Sequence, residues 1–404
     1  MDLGLESAGF DVSAAVEMDA DAVKTLRHNR DWVVIDRDIH EVSSDHLLAD
    51  TGLKEGEADL LAGGPPCQPF SKSGYWVRGD SRRLDDPRAS TLEAYLRVVR
   101  DLKPKVFLLE NVAGLAYRNK DEGLDLLRRT IDTINQEAGT EYVLSAKLLN
   151  AADYGAPQLR ERFFVVGHRE GEMFRFPARS HGQPMGGDPE LPRLFSPETG
   201  PEAYRTTWDA IGDCEDDDDP TLAMTGKWAD LLPSIPEGQN YLYHTDRGSG
   251  LPLFGWRRRY WSFLLKLAKE LPSWTLTAQP GSAIGPFHWK NRRLSMRELC
   301  RLQTFPDDYV VLGGRPSYQK QIGNAVPSVL AEVLGLQIRR TLLDSPPSNR
   351  QPKLVPSRRV DPPPSEPVAP VPNQYRDLIG DHSPHPGTGK GWAAIGRKIV
   401  ATKR

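Results

Sequence analysis

The sequence predicts an α/β fold: a doubly wound, mostly parallel sheet joined to a second, irregular domain. Three observations lead there. Over residues 1–168, short apolar runs alternate with stretches of helical period. Beyond about residue 170, proline and glycine rise and the strands become short. After Ser345, twelve prolines fall before Gly389 among serines and charges, a composition that buries too little apolar area to fold. The expected division is 1–169 plus 318–344 for the sheet domain, 170–317 for the second domain, and 345–404 as a disordered tail.

The elements follow in order. Residues 11–18 form an apolar run ending near an acid and read as a strand. Residues 19–30 carry Asp19 and Asp21 in the first turn and basic residues at the end, the order that suits a helix dipole. Residues 32–39 and 58–63 are the next two strands, the second running into a Gly-Pro loop. A helix is predicted over 90–102, a strand over 105–111, a helix over 123–136, and strands over 142–150 and 162–167. Buried apolar strands separated by helices are the pattern of a parallel sheet covered on both faces. Residues 294–306 read as a compact helix, and 321–343 as a Gly-Asn turn followed by an amphipathic helix.

Composition narrows the function classes. With 38% hydrophobic and 26% charged residues in 404, the chain can bury a core. No 18-residue apolar run and no signal-type start occur, so a cytoplasmic protein without a membrane span is expected. The three cysteines, Cys67, Cys214 and Cys300, have no metal-ligand spacing and no even pairing, so free thiols are expected. The acid run at 215–219 reads as a solvated loop, and no metal is assigned. Net charge is −3, which does not decide for or against nucleic acid. From Trp256 to Arg293, however, eight Lys or Arg face a single acid, interleaved with seven Trp, Tyr or Phe. That pattern suits phosphate contact with stacking; a basic surface over a Trp-rich core is the alternative. Arg257, Arg258, Arg259, Arg292 and Arg293 are the DNA-contact candidates.

The most informative segment is GGPPCQPFS, residues 63–71. A predicted strand leads into it, so it lies at the carboxyl edge of the sheet, where such folds bind ligands. Prolines on both sides of Cys67 fix φ and hold the loop rigid. A thiol held there is a candidate nucleophile, against the blander reading of a cysteine packed under a turn.

This segment resembles the catalytic loop of DNA cytosine C5-methyltransferases, and four companions occur in the family's order. They are Glu110-Asn111-Val112, the Gln-x-Arg-x-Arg at 158–162, residues 297–306, and Gln321-Ile322-Gly323-Asn324-Ala325-Val326-Pro327. Together they span residues 3 to about 343. The resemblance implies a Rossmann-like, S-adenosylmethionine-dependent methyltransferase with a target-recognition domain. It also implies the chemistry. A Cys67 thiolate adding to carbon 6 of cytosine makes carbon 5 nucleophilic toward the methyl of S-adenosyl-L-methionine. The base must first leave the duplex. Negative charge then builds on the ring, so a proton donor near N3 lowers the barrier.

Glu110 is the implied donor, kept partly protonated by burial. Arg160 and Arg162, two apart on an extended segment, share one face. Arg162 is assigned to the base, and Arg160 to the phosphate and the active-site loop. The Pro65 carbonyl is expected to meet the cytosine amine, with Gln68, Ser71 and Gln158 also on the substrate side. Residues 71–88 suit a loop that closes on DNA. Glu17, at a strand end, is implied to bind the cofactor ribose. Asp38 and Ile39 are implied at the adenine, and Leu92, Asn324 and Val326 elsewhere around the cofactor.

The sequence departs from the family at its start. The family opens with a strand and a Phe-x-Gly-x-Gly-Gly loop, whereas residues 1–10 resemble the helix that follows. Either Met1 is an internal methionine and roughly 10–20 residues precede it, enough for one strand and a loop, or the chain is an inactive remnant. Intact downstream motifs favour the first, and poor cofactor affinity is expected of the chain as written. A tRNA cytosine C5-methyltransferase is the alternative enzyme, but its Cys-Phe-Thr tripeptide is absent and the region between the arginine motif and residue 290 is long. Double-stranded DNA is the expected partner, with a separate restriction endonuclease and a monomeric enzyme. A non-catalytic DNA-binding remnant is the reading from a different class.

Overall fold

The computed structural model describes residues 1–65, 90–112, 122–182, 200–214, 219–255, 260–343 and 350–380. Helix α1 (Asp2–Ser7) is followed by β1 (Ala14–Glu17), α2 (Ala20–Asn29), β2 (Val33–Asp36), α3 (Ser44–Thr51) and β3 (Leu60–Gly63). Then come α4 (Ser90–Leu102), β4 (Val106–Val112), α5 (Glu122–Ala138), β5 (Val143–Asn150), β6 (Gln158–Leu159) and β7 (Glu161–His168). The start of α2 lies where its acids predict: the Asp19 side chain accepts from the amides of Asp21 and Ala22. Helix α3 has no sequence expectation behind it; Ser43 caps its start and Gly52, in the left-handed region at φ 68°, follows its end.

Strands β1 and β2 pair in parallel as one sheet. The second sheet runs β3-β4-β7-β5, with β3–β4 parallel and both pairs to β7 antiparallel. Its centre is buried on both faces, which explains the unbroken apolar run of β4. Val106 and Leu108 pack with Phe164, Val166 and helix α9 (Ser328–Thr341), while Phe107 and Leu109 pack with α4 and α5. Each of these four β4 residues is fully buried, worth about 1.5–3 kcal/mol apiece.

The second unit is irregular. It holds the two-residue strands β8 (His181–Gly182), β9 (Glu202–Ala203) and β10 (Ser273–Trp274), and helices α6 (Thr207–Ile211), α7 (Met296–Leu302) and α8 (Arg315–Asn324). Its core is aromatic, with Tyr241, Phe254, Phe263 and Phe287 buried. The two units interlock: β10 pairs with β6, and Leu3 and Ile322 share a cluster with Leu276, Trp289 and Leu299.

Two expectations are corrected here. Residues 321–324 are not a turn opening a helix but the last turn of α8; the break comes at Ala325–Pro327, where proline lacks an amide to continue the ladder. The tail is not disordered throughout, because residues 350–380 run as an extended strap over both units. Glu332 of α9 accepts from the amides of Lys353 and Leu354. Arg358 and Arg359 bind Asp209, and Val371 and Tyr375 enter the aromatic core. Prolines suit this segment because an extended strap needs few internal hydrogen bonds.

Candidate active site

The parallel register of β3 and β4 places Gly63 beside Leu109, so the exit of β3 meets Glu110. A Cβ at Gly64 would lie 2.8 Å from Glu110 Oε2 and push that carboxylate from its place. One residue on, the Asn111 side-chain amide donates to the Pro65 carbonyl at 3.2 Å. The chain entering the GGPPCQPFS segment is thus tied to the end of β4 by two adjacent residues. The Pro65 carbonyl keeps a second lone pair for another donor. Cys67, Gln68 and Ser71, and the 71–88 segment, lie outside the described residues.

Arg162 reaches Glu110 from the neighbouring strand. In the antiparallel register Glu110 pairs with Phe164, and Arg162, two residues earlier, stands on the same face. Its Nε lies 2.8 Å from Glu110 Oε1, with side chains 15% and 12% exposed. Burial raises the Glu110 pKa above the ordinary carboxyl value, and the charges of Arg162 and Arg160 only partly offset it. The same burial lowers the pKa of Arg162. Burial thus favours the neutral form of this carboxyl while its guanidinium partner favours the charged one.

Arg160 and Gln158 are placed differently from the expectation of substrate contact. Both are fully buried. Arg160 donates to the carbonyls of Leu276, at 3.1 Å, and Gly323, at 2.7 Å. Its Nε has no partner among the described residues, and burial pushes its pKa down to about 9, so it remains charged at neutral pH. Gln158 donates to the Leu302 carbonyl and accepts from the Leu276 amide. Both side chains are committed to joining the β6–β7 segment to the second unit, and so neither reaches a phosphate or base in this arrangement. Gly323 completes the junction, since a Cβ there would fall 2.5 Å from Ala278 Cα.

Beside this centre lies a cavity of about 390 Å³ whose lining includes Met1, Glu17, Met18, Trp32, Lys320 and Asn324. Glu17 Oε1 accepts the amides of Met18 and Asp19, which fixes the carboxylate and leaves Oε2 free for a hydroxyl. Met18, 65% exposed, and Trp32 offer apolar surface. These residues fit an adenosyl group: a hydroxyl acceptor, flat apolar walls and the Asn324 amide. Asp38, Ile39, Leu92 and Val326 do not line it. Asp38 lies beyond the end of β2 and accepts from His40, while Leu92 and Val326 are packed in the sheet cores. Sequence reading missed Met18 and Trp32. The available signal was a lone apolar residue directly after a strand-end acid.

A second opening, a groove of about 720 Å³, runs along residues 276–287 and reaches Arg293, Arg315, Asp19 and Lys320. The Asp19–Lys320 ion pair, at 2.6 Å, lines both openings. Lys320 holds the Asp19 carboxyl below its usual pKa, and Asp19 raises that of Lys320. Of the DNA-contact candidates, Arg292 is removed: it is buried and clamps Glu298 through both terminal nitrogens, at 2.8 and 2.7 Å. Arg257, Arg258 and Arg259 lie outside the described residues. No described group of three His, Cys, Asp or Glu could hold a metal ion, and no described helix is long and apolar enough to cross a membrane.

Comparison with known proteins agrees with this geometry. Residues 1–340 match the family model of the C-5 cytosine-specific DNA methylases. The chain is 41% identical over 334 residues to the type II methyltransferase M.SacI of Streptomyces achromogenes, covering 80% of this chain and 82% of that one. It is 33% identical over 341 residues to M1.HphI of Haemophilus parahaemolyticus, covering 82% of each. Among solved structures, Spodoptera frugiperda DNMT2 shares the fold at a TM-score of 0.53 and 16% identity, over 83% of this chain and 94% of that one. The chain belongs to the C-5 cytosine-specific DNA methylase family and is a DNA (cytosine-5-)-methyltransferase whose methyl donor is S-adenosyl-L-methionine.

Proposed function

We propose that the enzyme methylates carbon 5 of a flipped cytosine within a specific duplex sequence, through a covalent bond from Cys67 to carbon 6. The observation that carries this is the buried Glu110–Arg162 pair set against Gly64 and Pro65, three residues or fewer before Cys67. The division of labour follows from it. Glu110, with its raised pKa, hydrogen-bonds the ring nitrogen as charge develops there. Arg162 steadies that carboxyl and faces the base oxygen. The Pro65 carbonyl takes the exocyclic amine. Arg160 and Gln158 act as positioning residues. S-adenosyl-L-methionine supplies the electrophilic methyl; Glu17, Met18, Trp32 and Asn324 would hold it.

The biological setting that fits best is a restriction–modification system, because relatives at 41% and 33% identity are type II methyltransferases. A separately acting endonuclease and a monomeric methyltransferase belong to this reading. The test is transfer of a labelled methyl from S-adenosyl-L-methionine to unmethylated duplex DNA. Incorporation should vanish in Cys67→Ser, and bisulfite sequencing of a host carrying the gene should give one repeated target sequence. Label entering tRNA but not duplex DNA would defeat the assignment.

A further inference from the structure

Arg315 opens α8 on one wall of the 720 Å³ groove, and Arg293 stands beside it. Their adjacency is fixed by backbone: Arg315 Nη2 donates to the carbonyl of Leu294, the residue after Arg293, at 3.0 Å. Arg315 Nη1 meets the Tyr318 hydroxyl at 2.9 Å, and its guanidinium lies 5.7 Å from the centre of the Tyr318 ring. These contacts use two of five donors and hold the guanidinium plane in place. Among the described residues, the Arg293 side chain makes one hydrogen bond, a long one of 3.4 Å to Thr225 Oγ1.

Neither arginine has a carboxylate within ion-pair distance among the described residues, whereas the groove's other cation, Lys320, is already matched by Asp19. Burial lowers the Arg315 pKa most; repulsion from the nearby Arg293 charge lowers it too, while Tyr318 and the more distant Asp219 raise it. An anion between them would remove that repulsion and use the idle donors. The groove also leads to the chemistry. Leu276, on its lining, binds Arg160, and Asp19 and Lys320 border the cavity assigned to the cofactor.

We propose that Arg293 and Arg315 together clamp one backbone phosphate of the duplex that enters this groove, positioning the DNA without reading its sequence. The inference rests on the duplex-DNA reading above. Phosphate is favoured over a base edge because two neighbouring guanidiniums can each donate to one of the two non-bridging oxygens of a singly charged phosphodiester, and because fixed position rather than sequence is what such contacts supply.

The experiment uses the full chain and a fluorescently labelled unmethylated duplex carrying the sequence that wild type methylates. Binding is titrated from low to moderate salt for wild type, Arg293→Met, Arg315→Met and the double variant. Loss of the contact should weaken binding about tenfold at low salt and reduce the slope of log affinity against log salt by about 0.9 per phosphate. The methylated sequence should stay the same, and Arg315→Lys should restore most of the slope. Cofactor affinity and Tm report folding; if Arg315→Met melts early, Arg293→Met alone decides. An unchanged slope, or a changed target sequence with an unchanged slope, overturns the clamp. Wild type that neither binds nor methylates duplex DNA overturns the functional reading instead.

Discussion

Glu110 and Arg162 hold each other in a place neither would occupy alone. A carboxylate and a guanidinium at 2.8 Å in a nearly dry site each lose solvation, and both pKa shifts show the cost, upward for the acid and downward for the base. Glu110→Gln keeps the shape and removes the titratable proton, so kcat/KM should fall by about 10²–10⁴, read in the labelled-methyl assay. Because Arg162 lowers the Glu110 pKa, Arg162→Met should raise it further and move the alkaline limb of the pH–rate profile upward. The sign for stability follows from the same direction. The folded state binds the Glu110 proton more tightly than the unfolded chain does. Its stabilising contribution is therefore full below the ordinary carboxyl pKa and fades as pH rises through the raised value. Urea unfolding of wild type and Glu110→Gln across that range should show the difference; a flat difference would refute it. Arg160→Ala should cost roughly 3 kcal/mol by stranding the carbonyls of Leu276 and Gly323, measured by urea denaturation.

What could be read in the sequence at this scale were residue types and spacing. Both arginine charges act on Glu110, yet only Arg162 pairs with it, while Arg160 turns to the carbonyls of Leu276 and Gly323. Spacing could not say which is spent on structure. That depends on carbonyls at 276 and 323, over a hundred residues away, and the same long-range capture took Gln158 out of solvent, whereas Arg292 is held by Glu298, six residues on.

Among elements, those with strong local signals were legible and those set by partners were not. β4, β7, α4 and α5 lie within two residues of their predicted ends, because a doubly buried strand must be apolar throughout and a packed helix must keep its period. The strap over 350–380 was invisible for the opposite reason. Its composition is that of a disordered chain, and its order is bought by single residues meeting distant partners. Lys269 shows how much hangs on these contacts. It is 3% exposed and binds Glu237, itself 6% exposed, at 2.7 Å, and Glu366 of the strap at 3.2 Å. Lys269→Met should destabilise by about 3–5 kcal/mol by leaving Glu237 buried without its cation. Adding Glu237→Gln should recover much of the loss, as a double-mutant cycle in urea would show. Ending the chain at residue 345 should lower the Tm by exposing the Trp228, Phe254 and Phe263 cluster that Tyr375 covers.

Across the whole molecule, stability is uneven. The β3-β4-β7-β5 sheet has packed layers on both faces, whereas β1 and β2 form a separate pair and every residue of β1 is only partly buried. Hydrogen exchange should therefore be faster at 14–17 and 33–36 than at 106–109 and 163–166. Equal protection in both groups would contradict this account. Cofactor binding at Glu17 should slow the first group preferentially, since that residue ends β1.

The Asp19–Lys320 bridge is masonry common to two openings, the one we propose for an adenosyl group and the one we propose for the duplex. Any coupling of the two ligands through that wall is mutual by linkage. The factor by which S-adenosyl-L-methionine changes affinity for the duplex must equal the factor by which the duplex changes affinity for S-adenosyl-L-methionine. Replacing Lys320 by methionine should bring that factor toward one, in calorimetric titrations run in either order. A factor above one in those titrations would mean that the target is held more firmly by the loaded enzyme and released as the spent donor leaves.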